Sequence, residues 1–144
     1  MTPAIRPIAI GIFRRGEEIL VGFATDVAAN ERYCRPPGGA IEFAERAADT
    51  LRREIQEEAH ADIREPQLLG VLENTFDLEG VPKHEIIFVF EAAFSDPTLY
   101  DLPELRLYEP GWEGALQWVS LAECRSGAIA LYPTGLLALL DGAS

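Results

Sequence analysis

The chain has 144 residues, with 12 Lys and Arg against 24 Asp and Glu, a formal net charge of −12. With 48% hydrophobic and 9% aromatic residues it can fill one core of ordinary size; a disordered tail and a stapled mini-protein are excluded, and residues 1–144 are expected to form a single domain. So acidic a surface repels nucleic acids and anionic lipid, and no apolar run approaches the ~20 residues of a membrane-spanning helix. A substrate that is itself an anion would need a cation recruited locally.

In chain order, residues 5–13 read as a strand, 14–18 as a turn and 19–24 as a second strand, which predicts an N-terminal hairpin. Tyr33-Cys34-Arg35-Pro36-Pro37-Gly38-Gly39 cannot be helical and reads as an ordered loop. It feeds a helix over about 44–60, in which Ala47, Leu51, Ile55 and Ala59 recur at four-residue spacing as one buried stripe. Segments 68–76 and 84–94 are predicted to be antiparallel strands. The stretch from 95 to 111, with Pro97, Pro103 and Pro110, reads as a long loop of the kind that flanks a site. A short strand at 115–120 follows, then a final helix after Pro133 that buries Leu136, Leu137, Leu139 and Leu140. Strands around one long helix and ending in another predict an α/β (α+β) sandwich with a mixed sheet. Cys34 and Cys124 have no zinc spacing and form no CxxC; with no signal-like leader they fit a reducing cytoplasm.

Within the long helix Glu54, Glu57 and Glu58 stand at i, i+3 and i+4, on an arc about 100° wide beside the apolar stripe. Like charges at this spacing repel by a few tenths of a kcal/mol per pair. Either the face is simply solvated, with Arg52 and Arg53 nearby, or the carboxylates hold a hard divalent cation such as Mg²⁺. The Pro-Pro-Gly-Gly entry favours the cation, because two glycines let the backbone approach an ion or phosphate closely.

Gly39, five residues, Glu45, seven residues and then Arg53-Glu54-Ile55-Gln56-Glu57-Glu58-Ala59-His60-Ala61 resembles the Nudix box, G-x5-E-x7-R-E-U-x-E-E-x-G-U, with U a bulky aliphatic residue. His60 replaces the box Gly and Ala61 the last aliphatic residue. That Gly ends the helix where chains often turn left-handed; His is among the residues that tolerate the turn, at about 1 kcal/mol.

The resemblance implies a Nudix-type α/β/α sandwich and a pyrophosphohydrolase. Its reaction would be divalent-metal-dependent hydrolysis of a nucleoside diphosphate linked to another group, by attack of water on the diphosphate. It implies Glu57 and Glu58 as ligands to Mg²⁺ or Mn²⁺, Glu54 as a further ligand or the base, and the Gly38 carbonyl as another ligand. Gly39, Glu45 and Arg53 take structural box positions, Arg53 by pairing with a carboxylate. Candidates outside the box are Glu91, Glu104, Glu109 and Glu113 for a further acidic group. Arg35 and His84 are expected to contact substrate, with Arg14 and Arg15 in the first turn, and Phe43, Trp112 and Trp118 could stack on a base. Residues that mark ADP-ribose, dinucleoside polyphosphate and NADH hydrolases are missing; position 77, for instance, is Asp. A (d)NTP or small nucleotide derivative is therefore the default substrate. The alternatives are a Nudix-fold binding or regulatory module without catalysis and an acidic interaction protein. A homodimer is the assembly the resemblance suggests.

Overall fold

The computed structural model describes residues 3–142. Nine strands form two sheets: β1 (Ile5–Ile12), β2 (Arg14–Arg15), β3 (Glu18–Asp26), β4 (Glu31–Arg35), β5 (Gly38–Ala40), β6 (Gln67–Leu78), β7 (Val81–Glu91), β8 (Glu104–Arg106) and β9 (Ala115–Ser120). The first sheet runs β5-β1-β7-β6 and is mixed, because β1 and β7 are parallel while its other pairs are antiparallel. The second runs β2-β3-β9-β8, with β4 also on β3. Among the described residues there are three α-helices: α1 (Ala47–Ala59), α2 (Leu121–Ser126) and α3 (Leu136–Gly142).

Period-two alternation explains the layering. On β1, Ile8, Ile10 and Ile12 face one core with Ile87 and Val89 of β7, Ile19, Val21 and Phe23 of β3, and Leu136 and Leu140 of α3. Ala9 faces the other way, into a second core with Leu51 and Ile55 of α1, Leu116 and Trp118 of β9, and Phe94. Both faces of β1 are thus apolar, as a strand buried on both sides requires. The result is the α/β/α sandwich with a mixed sheet. Cys34 and Cys124 are free, buried thiols; burial pushes the Cys34 thiol up to about 12.

The expected hairpin between 5–13 and 19–24 is corrected. β1 pairs only with β5 and β7, and β3 turns back onto the two-residue β2 instead. The chain changes sheets at Phe13, which is fully buried and stacks on Phe94 with ring centroids 4.2 Å apart. The loop expected over 33–39 is two short strands, β4 and β5, joined across Pro36-Pro37. The long irregular stretch contains a 3₁₀ turn at Pro97–Asp101 and the strand β8. Helix α2 is an addition whose signal lay in the sequence: Ser120 caps it by accepting from the Glu123 amide at 3.3 Å, and Gly127 closes it in the left-handed region.

Candidate active site

The site is assembled where β5 delivers Gly38 and Gly39 against α1. Gly39 pairs with Ala9 and Gly38 with Ile10, so this turn is bonded to the central strand β1. Gly38 has φ 151, and a Cβ there would strike the Ala9 carbonyl oxygen. A Cβ on Gly39 would lie 2.6 Å from both carboxylate oxygens of Glu54. The Gly38 position therefore needs glycine, whereas a side chain at Gly39 would displace Glu54, so the first box glycine is the floor on which a helix carboxylate rests.

Arg53 locks α1 to the preceding turn. Its Nε and Nη2 donate to Glu45 at 2.8 and 3.0 Å, and Nη2 also donates to the Ala40 carbonyl at 3.1 Å. Glu45 further accepts from the Thr50 hydroxyl at 2.7 Å. These hydrogen bonds, Arg53 first, hold the Glu45 carboxyl down at about 2. The remaining nitrogen, Nη1, donates to Glu54 at 2.9 Å and to Glu57 at 3.3 Å.

Of the three box glutamates, Glu58 is 5% exposed, the Glu54 side chain 13% and the Glu57 side chain 55%. Burial pushes the Glu58 carboxyl up to about 8; Arg35 and the Gly38 amide oppose the rise, while Glu54 and Glu109 reinforce it. Glu54 is also raised, first by burial and then by Glu57 and Glu109, against the pull of Arg53. Two carboxylates withdrawn from water beside a third thus meet at the glycine turn. They are hard oxygen donors, the set that Mg²⁺ and Mn²⁺ prefer, and their mutual repulsion is what a cation would relieve. Among the described residues no three carboxylate, thiol or imidazole side chains are close enough together to hold an ion. Arg53 Nη1 holds both Glu54 and Glu57, so closing a three-carboxylate shell on an ion means loosening their bonds to that guanidinium.

The opposite wall is the segment after β8. The Tyr108 amide donates to the Glu58 carbonyl at 2.8 Å. His60 ends α1 in the left-handed region, at φ 52 and ψ 41, and its ring stacks on Tyr108 at 3.8 Å and 11°. This stack offsets the conformational cost of a non-glycine residue there. Glu109, next in the chain, lines a cleft with Arg35, Pro37, Gly38, Glu58 and Trp112. Arg35 lies over the Trp112 ring at 4.8 Å.

This cleft opens into a cavity of about 360 Å³, and Arg35, Glu109 and Trp112 line both. Its other walls include Arg6, Asp26, Glu31, Tyr33, Lys83, Glu85 and Tyr132. The size lies within the ~300–1,000 Å³ range of small-molecule sites. Tyr33 meets Trp112 and Tyr132 edge-on at 5.9 and 5.6 Å, giving an aromatic wall.

The structure puts Arg35, Gly38 and Glu58 in the lining of one cleft, with Glu109 and Trp112 from beyond the box, while Gly39, Glu45, Arg53, Glu54 and Glu57 form a contact network beside it. His84 is not among them. It lies half-buried on β7, accepting or donating 3.1 Å from Glu73, while its neighbours Lys83 and Glu85 line the cavity; strand alternation turns it to the other face. Glu91 pairs with Arg14 at 2.9 Å and Glu113 with Arg32 at 2.8 Å. Glu104 is exposed on β8, and Arg15 donates to the Tyr100 and Leu102 carbonyls. Phe43 is fully exposed and Trp118 is core. Asp26, Tyr33, Glu85 and Tyr132 carried no local signal; for the first three only their parity on β3, β4 and β7 could have hinted at a shared cavity, and Tyr132 lies in the irregular segment before α3.

A sequence model of the NUDIX domain matches residues 5–135. Solved structures agree in fold. A MutT NUDIX hydrolase from Burkholderia pseudomallei is 26% identical, over 83% of this chain and 85% of its own, with a TM-score of 0.63. A NUDIX hydrolase from Nitrosomonas europaea is 18% identical over 97% and 87%, with a TM-score of 0.65. A MutT protein from Bacillus halodurans is 18% identical over 96% and 82%, with a TM-score of 0.63. Among the described residues no helix is long and apolar enough to cross a membrane. The box on α1, the sandwich that carries it and the match over nearly the whole chain make this protein a member of the Nudix family, a Nudix pyrophosphohydrolase.

Proposed function

We propose that the protein hydrolyses a nucleoside diphosphate linked to another group, a (d)NTP or a small nucleotide derivative, with Mg²⁺ or Mn²⁺. The observation that carries this reading is the pair of water-excluded carboxylates, Glu54 and Glu58, set against Gly38-Gly39 on a helix that also bears Glu57. Glu54, Glu57, Glu58 and the Gly38 carbonyl would hold the cation. Bound there, it supplies charge to neutralise the diphosphate and acidity to the attacking water.

The chain's own groups do the rest. Arg35, at the junction of cleft and cavity, offers a guanidinium to phosphate oxygens. Glu54, whose carboxyl is raised by burial, is suited to take a proton from water at neutral pH. Gly39 keeps it in place, and Arg53 fixes α1 to the turn through Glu45.

The test is release of phosphate or mononucleotide from a panel of (d)NTPs and NDP-sugars, with Mg²⁺ and with EDTA. Turnover that EDTA abolishes is expected. Glu57→Gln and Glu58→Gln should each lower kcat by at least ~100-fold with the fold intact, the scale of losing one strong electrostatic contact. Near-wild-type turnover of either would sink the assignment.

A further inference from the structure

Of the five acidic residues that line the cavity, Asp77 is exposed and Glu109 belongs to the cleft already described, and the other three differ in what they already do. Asp26 is 7% exposed and accepts from the Ala29 and Glu79 amides at 3.1 and 3.3 Å. Glu31 accepts from the Tyr132 hydroxyl at 2.9 Å. Glu85 is equally buried, at 7%, yet among the described residues no donor lies within hydrogen-bonding distance of its carboxylate. Its nearest cation is Arg6, half-exposed and 3.8 Å away, beyond hydrogen-bond range. The Glu85 side chain is 10% exposed and its oxygens are not among the fully buried unpartnered atoms, so what access it keeps is to the cavity, where a ligand's donors can reach it. Glu85 also faces into the cavity rather than into packed side chains.

Its placement relative to the phosphate end follows from strand register. Glu85 pairs with Arg6 on β1, and Gly38 pairs with Ile10 four residues further along the same strand. At ~3.3 Å per residue, the two lie about 13 Å apart along β1, a span that an extended nucleotide bridges. The aromatic wall of Trp112, Tyr33 and Tyr132 lines the same cavity.

Resting on the function proposed above, we infer that Glu85 is a specificity-determining residue that accepts two adjacent hydrogen-bond donors from the nucleoside part of the substrate. An ionised carboxylate has two acceptor oxygens and no donor, so it selects a ligand edge carrying two neighbouring donors. A nucleoside offers this in two places. Guanine presents N1–H beside its exocyclic amino group, whereas adenine sets an acceptor beside its amino group. A ribose presents its vicinal hydroxyls, which deoxyribose lacks.

Calorimetric titration of the metal-free protein with GMP, IMP, AMP and dGMP tests this and separates the two sources. IMP removes only the exocyclic amino donor, and dGMP only the 2′-hydroxyl. If the base is read, GMP and dGMP bind about tenfold more tightly than IMP and AMP; if the sugar is read, GMP, IMP and AMP bind about tenfold more tightly than dGMP. A bidentate contact carries discrimination of that order. In Glu85→Gln, which keeps the shape but replaces one acceptor by a donor, the preference should vanish. Equal affinities across the four ligands in the wild type, or an unchanged preference in a folded Glu85→Gln, overturn the inference. Failure of the hydrolysis assay with an Glu85-dependent preference in binding would refute the proposed reaction and leave the role of Glu85 standing.

Discussion

The buried carboxyl of Glu58 makes a prediction about the protein without metal. Its folded-state value is raised from an ordinary 4.5 to about 8. Between those limits the unfolded chain has released the proton and the folded chain keeps it. Stability then falls as pH rises, by about 1.4 kcal/mol per pH unit. Across the whole window the loss amounts to at most about 5 kcal/mol, and it is complete once pH exceeds about 8. At 5% exposure the group is little screened by solvent. Glu58→Gln cannot ionise and should lose this slope. In EDTA, urea denaturation of wild type and Glu58→Gln should agree near pH 4.5 and diverge steadily up to pH 8.5, with the variant the more stable. Mg²⁺ should flatten the wild-type curve by stabilising the carboxylate. Glu45, held low, acts only as pH falls below about 4.5, and Cys34 only above about 9, while Glu54, also raised, adds a slope of the same sign to both proteins, so the difference between them isolates Glu58. Parallel curves for the two proteins from pH 4.5 to 8.5 would refute the reasoning.

Gly39→Ala should push the Glu54 carboxylate from its seat and lower kcat by ~10-fold or more, for a stability cost of about 1–3 kcal/mol typical of overpacking; an unchanged kcat in the folded variant would show that the close approach is incidental. At the end of α1, His60→Ala keeps the left-handed strain and loses the Tyr108 stack, so it should destabilise by about 1 kcal/mol, whereas His60→Gly removes both and should stay within about 0.5 kcal/mol of wild type. Urea denaturation of the two variants decides it, and equal losses would count against the stack.

How much of this was readable in the sequence depended on range. Glu54, Glu57 and Glu58 lie on one helix, so spacing placed them together, whereas Glu45, Arg53 and the left-handed end at His60 followed from their positions in the motif. Strands at 115–120 and at the 67–91 hairpin were legible from alternation and β-branched content. The N-terminal pairing was not, because a strand apolar on both faces does not announce its neighbours, and the sheet change at Phe13 rests on a contact with Phe94 far along the chain. Glu109 could be named only as one of several acids near a loop. What singles it out is the Tyr108 amide on the Glu58 carbonyl, a link across fifty residues. His84 and Glu85 are adjacent in sequence, and only the register of β7 on β1 decides which one faces the cavity.

β1 has a consequence for how such an enzyme can change. β5, with its glycine turn, and β7, with Glu85, are zipped to opposite edges of β1 and do not touch each other. The glycine turn with the helix carboxylates and the residue proposed to read the nucleoside are thus two attachments to one strand, more than 10 Å apart along it. Side chains so far apart do not meet directly, so the substrate they share is what couples them. Substitutions toward the turn of the β6–β7 hairpin, where Asn74, Leu78, Lys83 and Glu85 line the cavity, therefore change what the cavity presents without changing the bonds that hold the glycine turn to β1.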